Sequence, residues 1–376
     1  MIVGVPKETA PAERRVALVA SALGKLLESG VEVHVQSGAG QASGSDDASY
    51  EAAGARVQPD ANALFDSADL LACVQPPALE LCEHMREGQM LVCLLQPYAN
   101  LELVQRLAER GVTSFALDLM PRITRAQSMD ILSAMSTVTG YESVLIAARA
   151  LPKFFPMLMT AAGTIKPARV LVIGAGVAGL QAIATARRLG AGVEAFDVRA
   201  AAKEQVESLG ARFVEQERAE DAETAGGYAK EQTAEQLAAQ RRLLGEHIAA
   251  SDVVITTALV PGKRAPVLIS AEQVKGMRPG SVIVDLAAEQ GGNCELTRAG
   301  EVAEVHGVQI HGPVNLASAM PADASRMFAR VLGTYLLHLV REGELMLDFE
   351  DPLVSDVVVT HQGAIVHEAV RGAVDG

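Results

Sequence analysis

Tryptophan is absent from the 376-residue chain, aromatic residues make up 3% of it, and positive charge is in deficit, 32 Lys+Arg against 46 Asp+Glu, a net charge of −14. Few rings to stack on bases and the wrong sign for a phosphate backbone argue against a nucleic-acid partner. The sign also argues against attachment to a membrane surface by basic charge. The most apolar stretches, LVCLLQP and ARVLVIGAGVAGL, are broken by Pro, Gly or charge before about 18 residues, so no transmembrane helix is expected. The opening MIVGVPKETAPAERRVAL lacks the basic-then-apolar order of a signal peptide. Cys73, Cys82, Cys93 and Cys294 show no CxxC spacing and read as buried reduced thiols, neither metal ligands nor disulfides, which suits a cytoplasmic compartment.

What is there is a globular composition. The 49% hydrophobic content excludes a disordered or collagen-like chain. At about 100 to 200 residues per domain, the length suggests two domains.

Apolar strand-like runs alternate with helix-like ones. MIVGV reads as a strand, VALVASALGKLLESG as a helix closed by Gly30 in a left-handed position, and VEVHV as the next strand. DLLACV, QMLVCLL and VTSFAL are further strands, with a helix from Asn100 onward. A second alternating block holds PARVLVIGAGVAGLQAIATARRLGAGVEAFDVR and the strands DVVITTA, SVIVDLA and GVQIHG. Between its halves the charged segment ERAEDAETAGGYAKEQTAEQLAAQ reads as an excursion from the sheet. From Pro321 to Gly343 a long helix is expected, with Met327, Phe328, Val331, Leu332, Tyr335, Leu336 and Leu339 as an apolar stripe suited to core or to an interface. The pattern predicts an α/β chain of two Rossmann-like domains with mostly parallel sheets, joined by long helices around a cleft. The expected boundaries are 1–135 plus 322–376 for the first domain and 136–321 for the second.

Gly174, Gly176 and Gly179 form a GxGxxG turn between the strand VLVI and the helix that opens at Val177. In that setting the first Gly permits the turn, the second admits a pyrophosphate, the third allows close helix packing, and the helix N-terminus offers free N–H groups. Asp197, at the end of the next strand, is placed to accept hydrogen bonds from the adenosine ribose, favouring NAD(H) over NADP(H); nearby Arg199 opposes that preference. The lesser alternative is a structural glycine turn with Asp197 capping the helix AAAKEQVESLG. Thr257, Ala258 and Leu259 follow another strand and suit either apolar cover of the adenosine half or a plain loop.

PRITRAQSMD groups Arg122, Arg125, Gln127 and Asp130. By chemistry alone a solvated charged loop is the better reading, although the segment offers donors and acceptors to a carboxamide or a sugar hydroxyl. Gly226, Gly227 and Tyr228 read as a lid with an aromatic tip or as a simple loop.

Taken together, MPRITRAQSMDILSAMS, the GAGVAGLQAIATARRLGA turn, FDVRAAAKEQVESLGARF, AETAGGYAKE and ITTALVPGKRAPVLI closely resemble the NAD(H)-binding component of the proton-translocating nicotinamide nucleotide transhydrogenase. The resemblance runs from GVPKE to VTHQGAIVH. It implies a homodimeric subunit that binds NAD(H) and transfers hydride to NADP+ on a partner subunit. Membrane-spanning subunits then couple the exchange to proton movement and hold the chain at the inner face of the plasma membrane. The chain resembles the leading piece of a split alpha subunit. Carried over, Arg122, Gln127, Asp130 and Ser133 surround the nicotinamide and its ribose, Gly174, Gly176, Val177 and Gly179 hold the pyrophosphate, and Asp197, Val198 and Arg199 meet the adenosine ribose. Gly227 and Tyr228 match the closing loop, and Gln240 and Leu259 line the nucleotide cleft. The implied role of Arg122 reverses the preference for a solvated loop.

Alanine dehydrogenase is the rival resemblance, sharing the opening GVPKE and RVA. That enzyme uses a Lys and a His on its substrate; here CVQPP and CLLQPY put Gln75 and Gln96 at those places, and Glu289 replaces an Asp, although Arg15 remains. An amide does not replace a proton-transferring imidazole. A third reading is an NAD(H)-binding subunit without turnover of its own.

Overall fold

The computed structural model describes residues 1–215, 233–259 and 264–375. They divide into two compact units, Met1–Met135 with Ala317–Gly376, and Ser136–Leu316.

The first unit holds an eight-stranded sheet in the order Arg56–Gln58, Glu32–Gln36, Ile2–Val5, Leu70–Ala72, Met90–Cys93, Thr113–Ala116, Val358–His361, Ala364–Ile365. The first six strands are parallel and the last two join antiparallel. Leu70, Leu71, Ala72, Leu91, Val92 and Cys93 are fully buried, as continuous apolar runs must be when a parallel sheet is covered on both faces. The helix Pro321–Leu339 begins with proline at its first turn and packs within this unit. Phe328, Leu332, Tyr335, Leu336 and Leu339 are buried, and the Tyr335 ring meets Phe115 edge-on with centroids 6.3 Å apart. The stripe is thus core, and gives no support to an interface.

Two local expectations fail. Val16 to Val19 are buried but not helical; turns begin only at Ala20. The N–H groups of Arg14 and Val16 donate to the hydroxyls of Ser318 and Ser325, so side chains far along the chain hold this segment. The long helix stops at Leu339, before Gly343, because Val340–Arg341 pairs antiparallel with Glu344–Leu345 around Glu342 and Gly343, both at positive φ.

In the second unit seven strands run in the order Arg212–Phe213, Gly192–Phe196, Arg169–Ile173, Val253–Thr256, Val282–Asp285, Val308–His311, Val302–Val305, the last antiparallel. Alternate residues feed opposite faces. Val170, Val172, Ile255 and Val284 pack with Ala182 and Ile183 of the helix Val177–Arg188, whereas Leu171, Ile173, Val254 and Ile283 pack with Leu244 and Ile248 of the helix Ala234–Ala250. Most of the charged excursion, including Gly226, Gly227 and Tyr228, lies outside the described residues.

The helix Ile131–Ala150 corrects the reading of apolar runs. Its 20 residues carry only Glu142 and Arg149 as charges, which by length and composition is enough to cross a membrane. One such helix is weak evidence for a span, since core helices of soluble proteins have the same composition.

Candidate functional site

In the second sheet the chain order reverses between Arg169–Ile173 and Val253–Thr256, and the glycine turn leaves the first of these at its C-terminal end. That is the switch point where open α/β sheets bind ligands. Gly174 has φ +100°, and a Cβ there would lie 2.4 Å from Thr257 Oγ1; one on Gly179 would lie 1.9 Å from the Gly174 carbonyl oxygen. Both are demanded by the fold itself. A Cβ on Gly176 would meet nothing within 4 Å, so the space beside this glycine stands open at the N-terminus of the helix Val177–Arg188. Leu180 N–H makes an early helical bond to Gly176 O at 2.8 Å, and the N–H groups ahead of it face an anion-binding position. A pyrophosphate fits this cradle.

Asp197 lies beside the turn. Its carboxylate, 6% exposed, accepts from Ala175 N–H at 2.7 Å and Arg199 Nη2 at 2.9 Å on Oδ2, and from Arg199 N–H and Nε, both at 2.9 Å, on Oδ1. None of these donors is an N–H of the following helix, Ala202–Ser208, so Asp197 does not cap it. Val198 packs on the apolar cluster below, and Leu259 is 39% exposed. Gln240 belongs to the helix Ala234–Ala250, with its side chain outside the described set.

A network that the sequence does not announce holds the neighbouring segment. Asp285, fully buried at the end of Val282–Asp285, accepts from Thr256 Oγ1 (2.8 Å), Ala287 N–H (3.0 Å), Cys294 N–H (3.0 Å) and Thr297 Oγ1 (2.6 Å). Asn293, next to Cys294, grips Ala258 at both ends: its Oδ1 accepts from Ala258 N–H at 3.0 Å and its Nδ2 donates to Ala258 O at 2.8 Å. Thr257 Oγ1 then donates to Gly174 O at 3.0 Å. The one signal for this in sequence is a carboxylate interrupting the apolar run SVIVDLA.

In the first unit Ala126 and Met129 are buried and anchor the polar loop, while Arg122 and Gln127 are exposed. Asp130 caps the helix Ile131–Ala150, accepting from Ser133 N–H at 2.9 Å and Ser133 Oγ at 2.6 Å. Arg125 pairs with Asp351 at 2.5 Å, which His338 also meets at 3.0 Å.

The same unit has a cavity of about 250 Å³ lined by Lys7, Glu8, Glu13, Arg14 and Arg15. Arg15 Nε and Nη2 donate to Glu13 at 2.8 and 2.6 Å, and Gln75 Nε2 donates to the same carboxylate at 3.0 Å. Burial pushes the Glu13 carboxyl up, but the Arg15 guanidinium outweighs it and leaves it at about 2. Glu8 accepts N–H bonds from Val74 and Gln75 yet is pushed up to about 7 by burial. Gln96 N–H donates to Asp118. Burial also raises the thiols of Cys73, Cys82, Cys93 and Cys294, all four buried and free.

Comparison with known proteins places these features. The chain is 48% identical over 381 residues to the leading piece of the split alpha subunit of NAD(P) transhydrogenase from Rhodospirillum rubrum, covering 99% of each. The crystal structure of transhydrogenase from Sinorhizobium meliloti superposes with TM-score 0.89 at 46% identity, over 97% of this chain and 100% of that one. L-alanine dehydrogenase superposes with TM-score 0.83 at 29% identity, over 99% of both. Residues 4–139 match the alanine dehydrogenase/PNT N-terminal domain and residues 143–368 the alanine dehydrogenase/PNT C-terminal domain, and the chain therefore belongs to the alanine dehydrogenase/PNT family.

Proposed function

We propose that this chain is the NAD(H)-binding subunit of a proton-translocating transhydrogenase, passing hydride from NADH to NADP+ held on a partner subunit. The observation that carries this reading is the 48% identity, over 99% of both chains, to the leading piece of a transhydrogenase alpha subunit, with the open cradle at Gly176 as its physical counterpart. When bound, NADH supplies the hydride. Gly174, Gly176, Val177 and Gly179 hold the pyrophosphate, Asp197, Val198 and Arg199 form the segment beside the adenosine ribose, and Leu259 lines the site. Arg122, Gln127, Asp130 and Ser133 orient the nicotinamide. Nothing here needs a covalent nucleophile; the residues position the ring and exclude water. The assembly is a homodimer that docks on the NADP(H)-binding and membrane-spanning subunits, at the inner face of the plasma membrane.

The alanine dehydrogenase reading is disfavoured by the cavity at Arg15. Its guanidinium is already paired with Glu13, and the neutral amides Gln75 and Gln96 offer no acid or base. Hydride exchange between NADH and an NADP+ analogue, assayed with and without the partner subunit, tests the proposal. Exchange only in the complex is expected, and alanine-dependent NAD+ reduction by the chain alone would refute it.

A further inference from the structure

We infer that Arg199 sets how far the site prefers NADH over NADPH, by competing with the ribose hydroxyls for the Asp197 carboxylate. The inference rests on the nucleotide reading above. A carboxylate offers about four acceptor directions. At Asp197 all four are taken: one by Ala175 N–H, one by Arg199 N–H, and two by the Arg199 Nε and Nη2 fork. The two backbone bonds are fixed by the turn. The two guanidinium bonds come from a side chain, which competing donors can displace. With the fork in place a ribose diol finds no open direction, and with the fork released it finds two. Guanidinium and diol are therefore alternative occupants of one carboxylate.

The same geometry changes the charge that a 2′-phosphate meets. A lone carboxylate repels it. Here the Asp197 charge is matched by Arg199 at 2.9 Å, in a pair only 6% and 18% exposed, where solvent ions screen little. A guanidinium two residues from the carboxylate also presents a planar fork suited to phosphate. Lys203, the next cation along this segment, is held by Glu215 and does not share the task. NADH must displace the fork, whereas the 2′-phosphate of NADPH recruits it. Arg199 thus narrows the preference that Asp197 creates.

The test is the dissociation constants of NADH and NADPH for the full chain, wild type against Arg199→Ala, by nucleotide fluorescence. Expected are NADH binding tighter by a few-fold, as the loss of a competitor requires, and NADPH binding weaker by about tenfold, so that selectivity for NADH rises. Arg199→Lys keeps the charge without the fork and should fall between the two. NADH binding unchanged or weaker in Arg199→Ala, NADPH binding unchanged there, or a wild-type chain that fails to bind NADPH even at millimolar concentration would each overturn the inference. Asp197→Ala keeps the two failures apart: unchanged NADH affinity there overturns the ribose reading itself.

Discussion

The carbonyl oxygen of Gly174 stands 1.9 Å from the place a Cβ on Gly179 would occupy, whereas a Cβ on Gly176 would touch nothing. The fold and the ligand therefore make separable demands on one turn. Gly179→Ala is expected to destabilise the protein by about 1–3 kcal/mol through overpacking. Gly176→Ala, at φ −74°, should leave the melting temperature within a degree or two of wild type and weaken NADH binding by about tenfold or more, because the added methyl fills the pyrophosphate space. Calorimetry and a binding titration on the two variants read both effects, and wild-type affinity in Gly176→Ala would remove the cradle.

Asp285 is a buried carboxylate held by four neutral donors. In Asp285→Asn the amide nitrogen replaces one oxygen, and if it replaces Oδ2 it faces the Cys294 N–H, donor against donor. The expected loss is about 2–3 kcal/mol, the cost of unsatisfied buried groups. Chemical denaturation measures it; a midpoint like that of wild type would show that the network contributes nothing.

Glu8 and Glu13 give opposite pH dependences. Glu8 rises from 4.5 unfolded to about 7 folded, so the native state binds its proton more tightly, and stability from this residue is full below pH 4.5 and lost as pH climbs to about 7. The shift corresponds to roughly 3 kcal/mol. Glu13, lowered from 4.5 to about 2, contributes stability above pH 4.5 that disappears as pH falls through 2. Unfolding free energies at pH 5 and pH 8 should differ less in Glu8→Gln than in wild type. An equal difference in both would rule out Glu8 as the titrating group.

Asp130 combines a helix cap with a proposed role at the nicotinamide. Asn caps about as well as Asp, whereas Ala costs about 1 kcal/mol. Asp130→Asn should therefore keep the melting temperature and lose hydride exchange, and Asp130→Ala should lose both. Full exchange in Asp130→Asn would leave the residue a cap and no more.

Much of this architecture is legible in the sequence because it is local. Apolar runs such as DLLACV and SVIVDLA are the strands, and the glycine spacing after VLVI marks the turn. Contacts between distant residues are hidden. Val16 to Val19 carry a helical spacing of apolar residues, but Ser325, 309 residues away in sequence, takes the Val16 N–H. The strand Val358–His361 finds its place through Ser114 and Thr360, 246 residues apart. At the site, Asp197 is visible in the sequence, but its engagement by Arg199 and by the glycine turn is not. Asp285 shows in the sequence only as a carboxylate within an apolar run, and Asn293 not at all, because their partners, Thr256 and Ala258, lie 29 and 35 residues away on another strand end.

The most direct measurement is isotopic. NADH carrying deuterium at C4 is mixed with NADP+ and the chain, with and without its partner subunits, and the NADPH formed is weighed by mass spectrometry. Deuterium in NADPH only when the partners are present is the expected result. Deuterium confined to NADH in the complete complex, or deuterium at C2 of alanine when pyruvate and ammonia are added to the chain alone, would contradict the assignment.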